Sequence, residues 1–310
     1  MMNITGMKND KRKNSLIELC RFLFALWVLY YHSFVPYKGA LFGQGYLAVE
    51  FFFVLSGFFL LQSMEQYLQK STKEGLGDFL KHRFKAIAIP FFIGEIFVLL
   101  YSFTIEISYN LFFGYLWYIR DLFIAMIGIF LLRKWIKSQR QFYVILAIIS
   151  VVSFVGFSWL PIIAWPRGPF RSAAAIPLGI FASLLPKFSG KKKSHGIYIG
   201  IGTILSALGC LSIAVLQDKT LLLSYVLVVV GYPALIYFMN QIKFSSPLFN
   251  WLGSLSFPIY AFQCILRVVE AWGFENNIWL FIILMILVLT YSLATHIVKS
   301  KSRNKKECAE

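Results

Sequence analysis

Gly45-Tyr46-Leu47-Ala48-Val49-Glu50-Phe51-Phe52-Phe53-Val54-Leu55-Ser56-Gly57-Phe58 opens segment 46–64, an apolar run interrupted early by one carboxylate. A hydrocarbon core about 30 Å thick takes roughly 20 apolar residues in a helix. The segment matches that length, and it has company on both sides. Spans of the same kind are expected at 15–35, 86–105, 111–132, 142–160, 170–186, 195–216, 221–239, 252–270 and 278–298. Composition agrees with a chain made of such segments. Of 310 residues, 58% are hydrophobic and only 14% charged, whereas a soluble domain carries about 25% charged residues. The expected architecture is all-α, a polytopic membrane bundle of about ten helices in one domain covering 15–298.

Charge sets the orientation. The net charge of +16 is not a nucleic-acid footprint, because the basic residues form short runs between apolar segments and build no basic face or recognition motif. Runs of that kind set membrane topology. With the N-terminus in the cytoplasm, the inner side collects the basic segment 1–14, then Lys70, Lys73, Lys81, Arg83 and Lys85. Arg133, Lys134, Lys137 and Arg140 follow, then Lys187 and Lys191 to Lys193, Lys243, and the basic tail 299–310. The outer side holds Lys38, Arg167, Arg171 and Lys219. Ten spans with both termini cytoplasmic satisfy this asymmetry. The expected location is the plasma or inner membrane. The first segment is too long for a cleavable signal and lacks a small-x-small site, so it is expected to stay as the first span. The end segments 1–13 and 300–310 are expected to be mobile.

Cys20, Cys210, Cys264 and Cys308 form no C-x-x-C pair. Free thiols are expected rather than a disulfide framework. His32 is the only histidine in a candidate polar core, so no metal site is expected. No P-loop, dinucleotide fingerprint or HExxH motif occurs.

Polar residues inside the spans carry the functional signal, because a charge there costs about 2.5–3.5 kcal/mol even on the lenient insertion scale. Arg21 and His32 are eleven positions apart on the first span. That step is three helical turns plus about 20°, so they share a face, separated by about 16 Å along the axis. Arg21 reads as an anion contact near the cytoplasmic end or as a snorkelling anchor. His32 reads as a base or as an interfacial histidine. Glu50 needs a partner or a proton, and reads as the orienter of a catalytic imidazole or as half of a salt bridge. Ser56-Gly57 is a small pair that permits close helix approach. Arg83 and Lys85 suit phosphate or serve as inside charge.

Trp117 and Asp121, four apart, share a face, with Tyr118 beside them. Arg120 and Asp121 are consecutive and have no obligation to pair. Arg167 and Arg171 break the charge rule and invite Glu106, Glu50 or an anionic ligand. Arg267 and Glu270 are spaced to pair on one helix face.

Taken together, these segments resemble the integral-membrane acyltransferase-3 family. That family opens with an arginine, ten residues and a histidine, matched by Arg21 and His32. Its second helix carries a Gly-Val-acidic-x-Phe-Phe-x-Leu-Ser-Gly-Phe signature, matched by Gly45 to Phe58. Arg83 to Phe91 resembles its basic entry to the third helix, Leu116 to Leu122 its Leu-Trp-aromatic segment, and Gly253 to Tyr260 its late Gly-x-x-Ser-aromatic-x-Ile-Tyr motif. Two positions depart. Ala86 stands where a second arginine is common, so the implied phosphate contact rests on Arg83 and Lys85. Gln263 stands where a histidine is common, so no second catalytic histidine is implied.

The resemblance implies a membrane O-acyltransferase. It implies acyl-CoA, most simply acetyl-CoA, as donor substrate, with no tightly bound cofactor, and a carbohydrate hydroxyl of the cell envelope or an exported polymer as acceptor. His32 is the implied base with Glu50 as its partner, and Arg21, Arg83 and Lys85 are the implied donor-binding cations. Ser56, Trp117, Tyr118, Asp121, Arg167, Arg171 and Tyr260 are the supporting residues. A polysaccharide synthesis complex or a second copy of the chain are further partners open to it. The competing readings are a glycan-precursor transporter or flippase, and a non-catalytic subunit of such a complex.

Overall fold

The structure is a computed structural model that describes residues 14–33, 45–105, 117–159, 167–185, 226–263, 266 and 278–307. Regular structure among them is helical throughout. The helices are α1 (Ser15–Ser33), α2 (Tyr46–Leu68), α3 (Thr72–Ile105), α4 (Trp117–Trp135), α5 (Gln139–Trp159) and α6 (Arg167–Leu184). A π-turn, Leu227–Gly231, then leads into α7 (Tyr232–Gln241), followed by α8 (Pro247–Phe262) and α9 (Ile278–Glu307). Among the described residues, three helical stretches are long and apolar enough to cross a membrane: Ser15–His32, Leu47–Leu68 and Gln139–Gly156. The expected seventh span, 195–216, and the Arg267–Glu270 pair lie outside the described residues.

Two helix ends differ from expectation. The segment that carries Lys73, Lys81, Arg83 and Lys85 is not a loop but the first turns of α3, which starts at Thr72. Hairpin contacts with α2 keep it helical. Tyr67 and Phe79 meet edge-on at 5.8 Å, and Arg83 Nη2 donates to Ser63 Oγ. Lys134 of α4 closes the end of α2 by donating to the carbonyls of Leu68 and Lys70. At the other end of the chain, α9 runs through the basic tail as far as Glu307. Both discrepancies have one cause: hydropathy reports the thickness of the apolar slab, while backbone hydrogen bonding continues past it.

α1 and α8 run side by side. Asn14 begins α1 by accepting from the Leu16 N–H at 3.0 Å, and its Nδ2 donates to Met239 O at 2.6 Å and Ile242 O at 2.9 Å. Ser15 Oγ donates to Asn250 Oδ1 at 3.0 Å and accepts from the Ser246 N–H at 2.7 Å. One turn further along, Gly253 rests against Glu18, where a Cβ would collide with that side chain. The middle of α1, the first turns of α2 and the start of α7 share a buried aromatic cluster. Phe24 stacks on Phe51 at 4.0 Å, Tyr232 meets both rings edge-on, and Tyr232 Oη donates to Leu47 O at 3.0 Å.

The tightest crossing is between α2 and α6. A Cβ on Gly57 would land on the Ile176 carbonyl, and one on Gly179 would land on the Val54 carbonyl and the Phe58 amide. Each glycine thus lets the opposing backbone approach, which is how helices pack where lipid removes the hydrophobic drive between them. Gly57→Val is expected to destabilise the fold by at least about 1–3 kcal/mol, the usual range for overpacking. Gly128→Ala, which meets open space, is the control. Thermal melting of both variants in detergent checks this; equal melting would show that the crossing tolerates a side chain. Outward faces are apolar: Val144, Ile148, Val151, Val152 and Val155 on α5 and Ile282, Ile283, Ile286 and Leu293 on α9 are exposed. Apolar stripes of that extent fit a hydrocarbon surround.

Candidate active site

On α1 the arginine of the face shared by Arg21 and His32 is braced by Glu18, a residue the sequence did not single out. Arg21 Nη1 donates to Glu18 Oε1 at 3.1 Å and to Oε2 at 2.9 Å. Glu18 is buried beneath Gly253. The legible signal was the three-residue spacing, which places Glu18 and Arg21 on one helix face. His32 lies half-buried near the far end of α1, edge-on to Tyr31 with ring centroids 5.2 Å apart. Gly45 packs over the Tyr31 side chain and the Trp27 carbonyl, so the first turns of α2 begin beside the turn that carries His32.

Those first turns carry Glu50. Of the partners open to it, the structure shows Arg171 of α6: Arg171 Nε donates to Glu50 Oε1 in a pair whose side chains are at most 10% exposed. The Arg171 guanidinium lies over the Trp117 ring, 4.8 Å from its centroid. Asp121 is fully buried one turn further along α4. Arg120 and Asp121 do pair, through Arg120 Nε and Asp121 Oδ1 at 2.6 Å. Gly168 covers the other Asp121 oxygen so closely that any Cβ there would strike it. Two arginines, two carboxylates and an indole therefore tie α2, α4 and α6 together at one level. Arg167 opens α6, and its side chain lies outside the described residues.

A second layer lies deeper. Tyr118 is hydrogen-bonded to Ser56. Its ring meets Phe53 at 4.7 Å and Tyr260 at 5.3 Å. Ser56, Tyr118 and Tyr260 thus come together from α2, α4 and α8. Towards the α2–α3 turn, Arg83 bonds Ser63 Oγ and lies over the Phe79 ring at 5.6 Å. Its Nε is buried without a hydrogen-bond partner among the described residues. Lys85 is exposed on the same helix. Cys20 is a free thiol, with its sulfur 3.2 Å from that of Met239.

A family model described as an acyltransferase domain, Acyl_transf_3, matches residues 14–297. The chain belongs to the acyltransferase-3 family. Membership makes it a membrane-embedded acyltransferase, with an acyl donor and an acceptor as its substrates. No curated protein and no solved structure matches the chain. The match begins at Asn14, the residue that ties the start of α1 to the α7–α8 connection. Within this acyltransferase, Ser56, Tyr118 and Tyr260 come together, as do Glu50, Trp117, Asp121 and Arg171, while Arg21 pairs with Glu18 and Arg83 and Lys85 stand apart near the α2–α3 turn. Glu18 and Ser63, partners of two of the expected cations, are the additions that geometry makes.

Proposed function

We propose that this acyltransferase-3 member moves an acetyl or other short acyl group from cytoplasmic acyl-CoA to a hydroxyl of a cell-envelope or exported polysaccharide. It does so through a bundle of about ten spans with both termini in the cytoplasm. The observation that carries the reading is the face shared by Arg21 and His32 on α1, within a chain of this family. One residue is a cation and the other a titratable base, about 16 Å apart along one helix.

Acyl transfer to a hydroxyl needs a base, a positioned donor and stabilised charge. His32 takes the proton of the acceptor hydroxyl as its oxygen attacks the thioester carbonyl. The new C–O ester bond forms and the C–S bond breaks. The CoA thiolate leaves and recovers the proton from the imidazolium. Glu50 acts on that imidazolium through its charge, while Arg171 holds the carboxylate in place. Arg21, braced by Glu18, and Arg83 with Lys85 receive the anionic CoA moiety from the cytoplasmic side.

Purified protein in nanodiscs, incubated with labelled acetyl-CoA and candidate glycans, tests the reading. Label on the glycan supports it. Movement of unmodified glycan across proteoliposomes without label transfer selects the transporter reading instead. In the same assay Arg21→Ala is expected to raise the KM for acetyl-CoA about tenfold or more, the scale of one lost charge-assisted contact. An unchanged KM removes Arg21 from the donor site.

A further inference from the structure

Two buried polar groups outside the machinery described above lack partners. Glu95 on α3 and Gln263 at the end of α8 are each only 6% exposed. Glu95 Oε2 and Gln263 Oε1 are buried without a hydrogen-bond partner among the described residues. A buried acceptor left unmade costs about 1–3 kcal/mol, and native proteins keep few of them without a function or a ligand to satisfy them. Two on neighbouring helices, both in apolar segments, need a common explanation.

Their depth supplies one. In the antiparallel α2–α3 hairpin, Arg83 lies opposite Ser63 and Phe79 opposite Tyr67. Continuing equally along both helices brings Glu95 opposite Phe51, the ring that stacks on Phe24 of α1. On the parallel pair, Ser246 lies at Ser15 and Gly253 at Glu18. The same register carries Gln263 to the level of residues 28–32 of α1, the turn that ends on His32. Both groups therefore fall within the interval of α1 bounded by Arg21 and His32. α3 packs against α8, and Ile93 joins the apolar cluster that contains Phe262 and Leu266 on either side of Gln263.

We propose that Glu95 and Gln263 form the acceptor subsite, where their free oxygens accept hydrogen bonds from the hydroxyls of a carbohydrate. The inference rests on the acyltransferase reading above and gives its acceptor a place. The chemistry selects acceptor over donor. Two free acceptor oxygens, one of them on an amide that can also donate through its Nε2, match a ligand rich in hydroxyls, which both donate and accept.

The test reads binding without acyl-CoA, so it separates this subsite from the transfer reaction. Purified protein in nanodiscs is titrated with labelled soluble oligosaccharides containing hexose, N-acetylhexosamine and uronic acid units. Glu95→Met and Gln263→Met, which keep size and remove the acceptor, are expected to weaken binding about tenfold or more. Glu95→Gln and Gln263→Glu keep an acceptor oxygen and are expected to stay within about threefold of the parent on the same scale.

Acetyl-CoA binding stays unchanged in all four. Melting of the methionine variants stays level or rises, because an apolar group replaces an unpaired acceptor. A purely structural role would move melting and leave oligosaccharide binding alone, and that result overturns the proposal. So does equal binding by all variants, or no binding of any oligosaccharide by the parent. If a methionine variant does not fold, Gln263→Asn, which withdraws the amide by one methylene, carries the same expectation for Gln263. Binding that responds as expected in a protein that transfers no label would leave the subsite standing and remove the transferase reading alone.

Discussion

Replacing His32 with alanine is expected to lower the rate of label transfer from acetyl-CoA by about 10²–10⁴-fold, the usual contribution of a positioned base. The loss falls on the chemical step alone. Acetyl-CoA affinity depends on Arg21, about 16 Å away along α1, and is expected to hold. Folding is expected to hold as well, since His32 is only half-buried, in the last turn of α1. Single-turnover transfer, with acetyl-CoA binding and melting measured on the same sample, separates these terms. A full transfer rate in a folded His32→Ala protein removes the base assignment.

The second large effect is on stability. Breaking a buried ion pair by removing one partner costs about 3–5 kcal/mol, whereas replacing both with apolar or neutral groups is often nearly neutral. Arg171→Met is expected to reach that range, because it strands Glu50 and also removes the cation over Trp117 and the positive field that acts on Asp121. Glu50→Gln is expected to cost less, since the remaining amide oxygen still accepts from Arg171. The double variant is expected to recover a substantial part of the Arg171→Met loss. Unfolding free energies from a double-mutant cycle decide it. Additive costs would show that Glu50 and Arg171 do not act as a pair.

Much of this is legible in the sequence. The helical class followed from apolar segments of bilayer length, and the shared face of Arg21 and His32 followed from eleven residues of helical rotation. The close approach at Ser56-Gly57 was readable as a small pair, though its partner, Gly179, was not. What stayed hidden depends on contacts distant in sequence. Arg167 and Arg171 had two carboxylates open to them, and only the placement of α6 against α2 gives Glu50 to Arg171. Arg120 and Asp121 looked free to ignore one another, yet burial of Asp121 beneath Gly168 leaves Arg120 as the nearby donor. The start of α3 is hidden in the sequence because its first turns are polar, and contacts with α2 hold them rather than lipid. Glu95 escaped notice because a lone carboxylate in an apolar segment carries no spacing signal; its missing partner is visible only once the bundle is closed.

The Asn14 and Ser15 contacts with residues 239–250 also order the events of synthesis. A ribosome adds about 5–20 residues per second, so α1 waits roughly 10–50 seconds at that rate before its neighbour α8 exists. Through that interval α1 has α2 beside it, Phe24 on Phe51, but lacks the wall that α8 supplies. Its own Glu18 can meet Arg21, three residues away, and so offset the charge locally until Gly253 arrives to cover the pair. α1 and α8 can pair only once both have been made, so the interior face on which Arg21 and His32 act is walled on its α8 side only after more than two hundred further residues have been added.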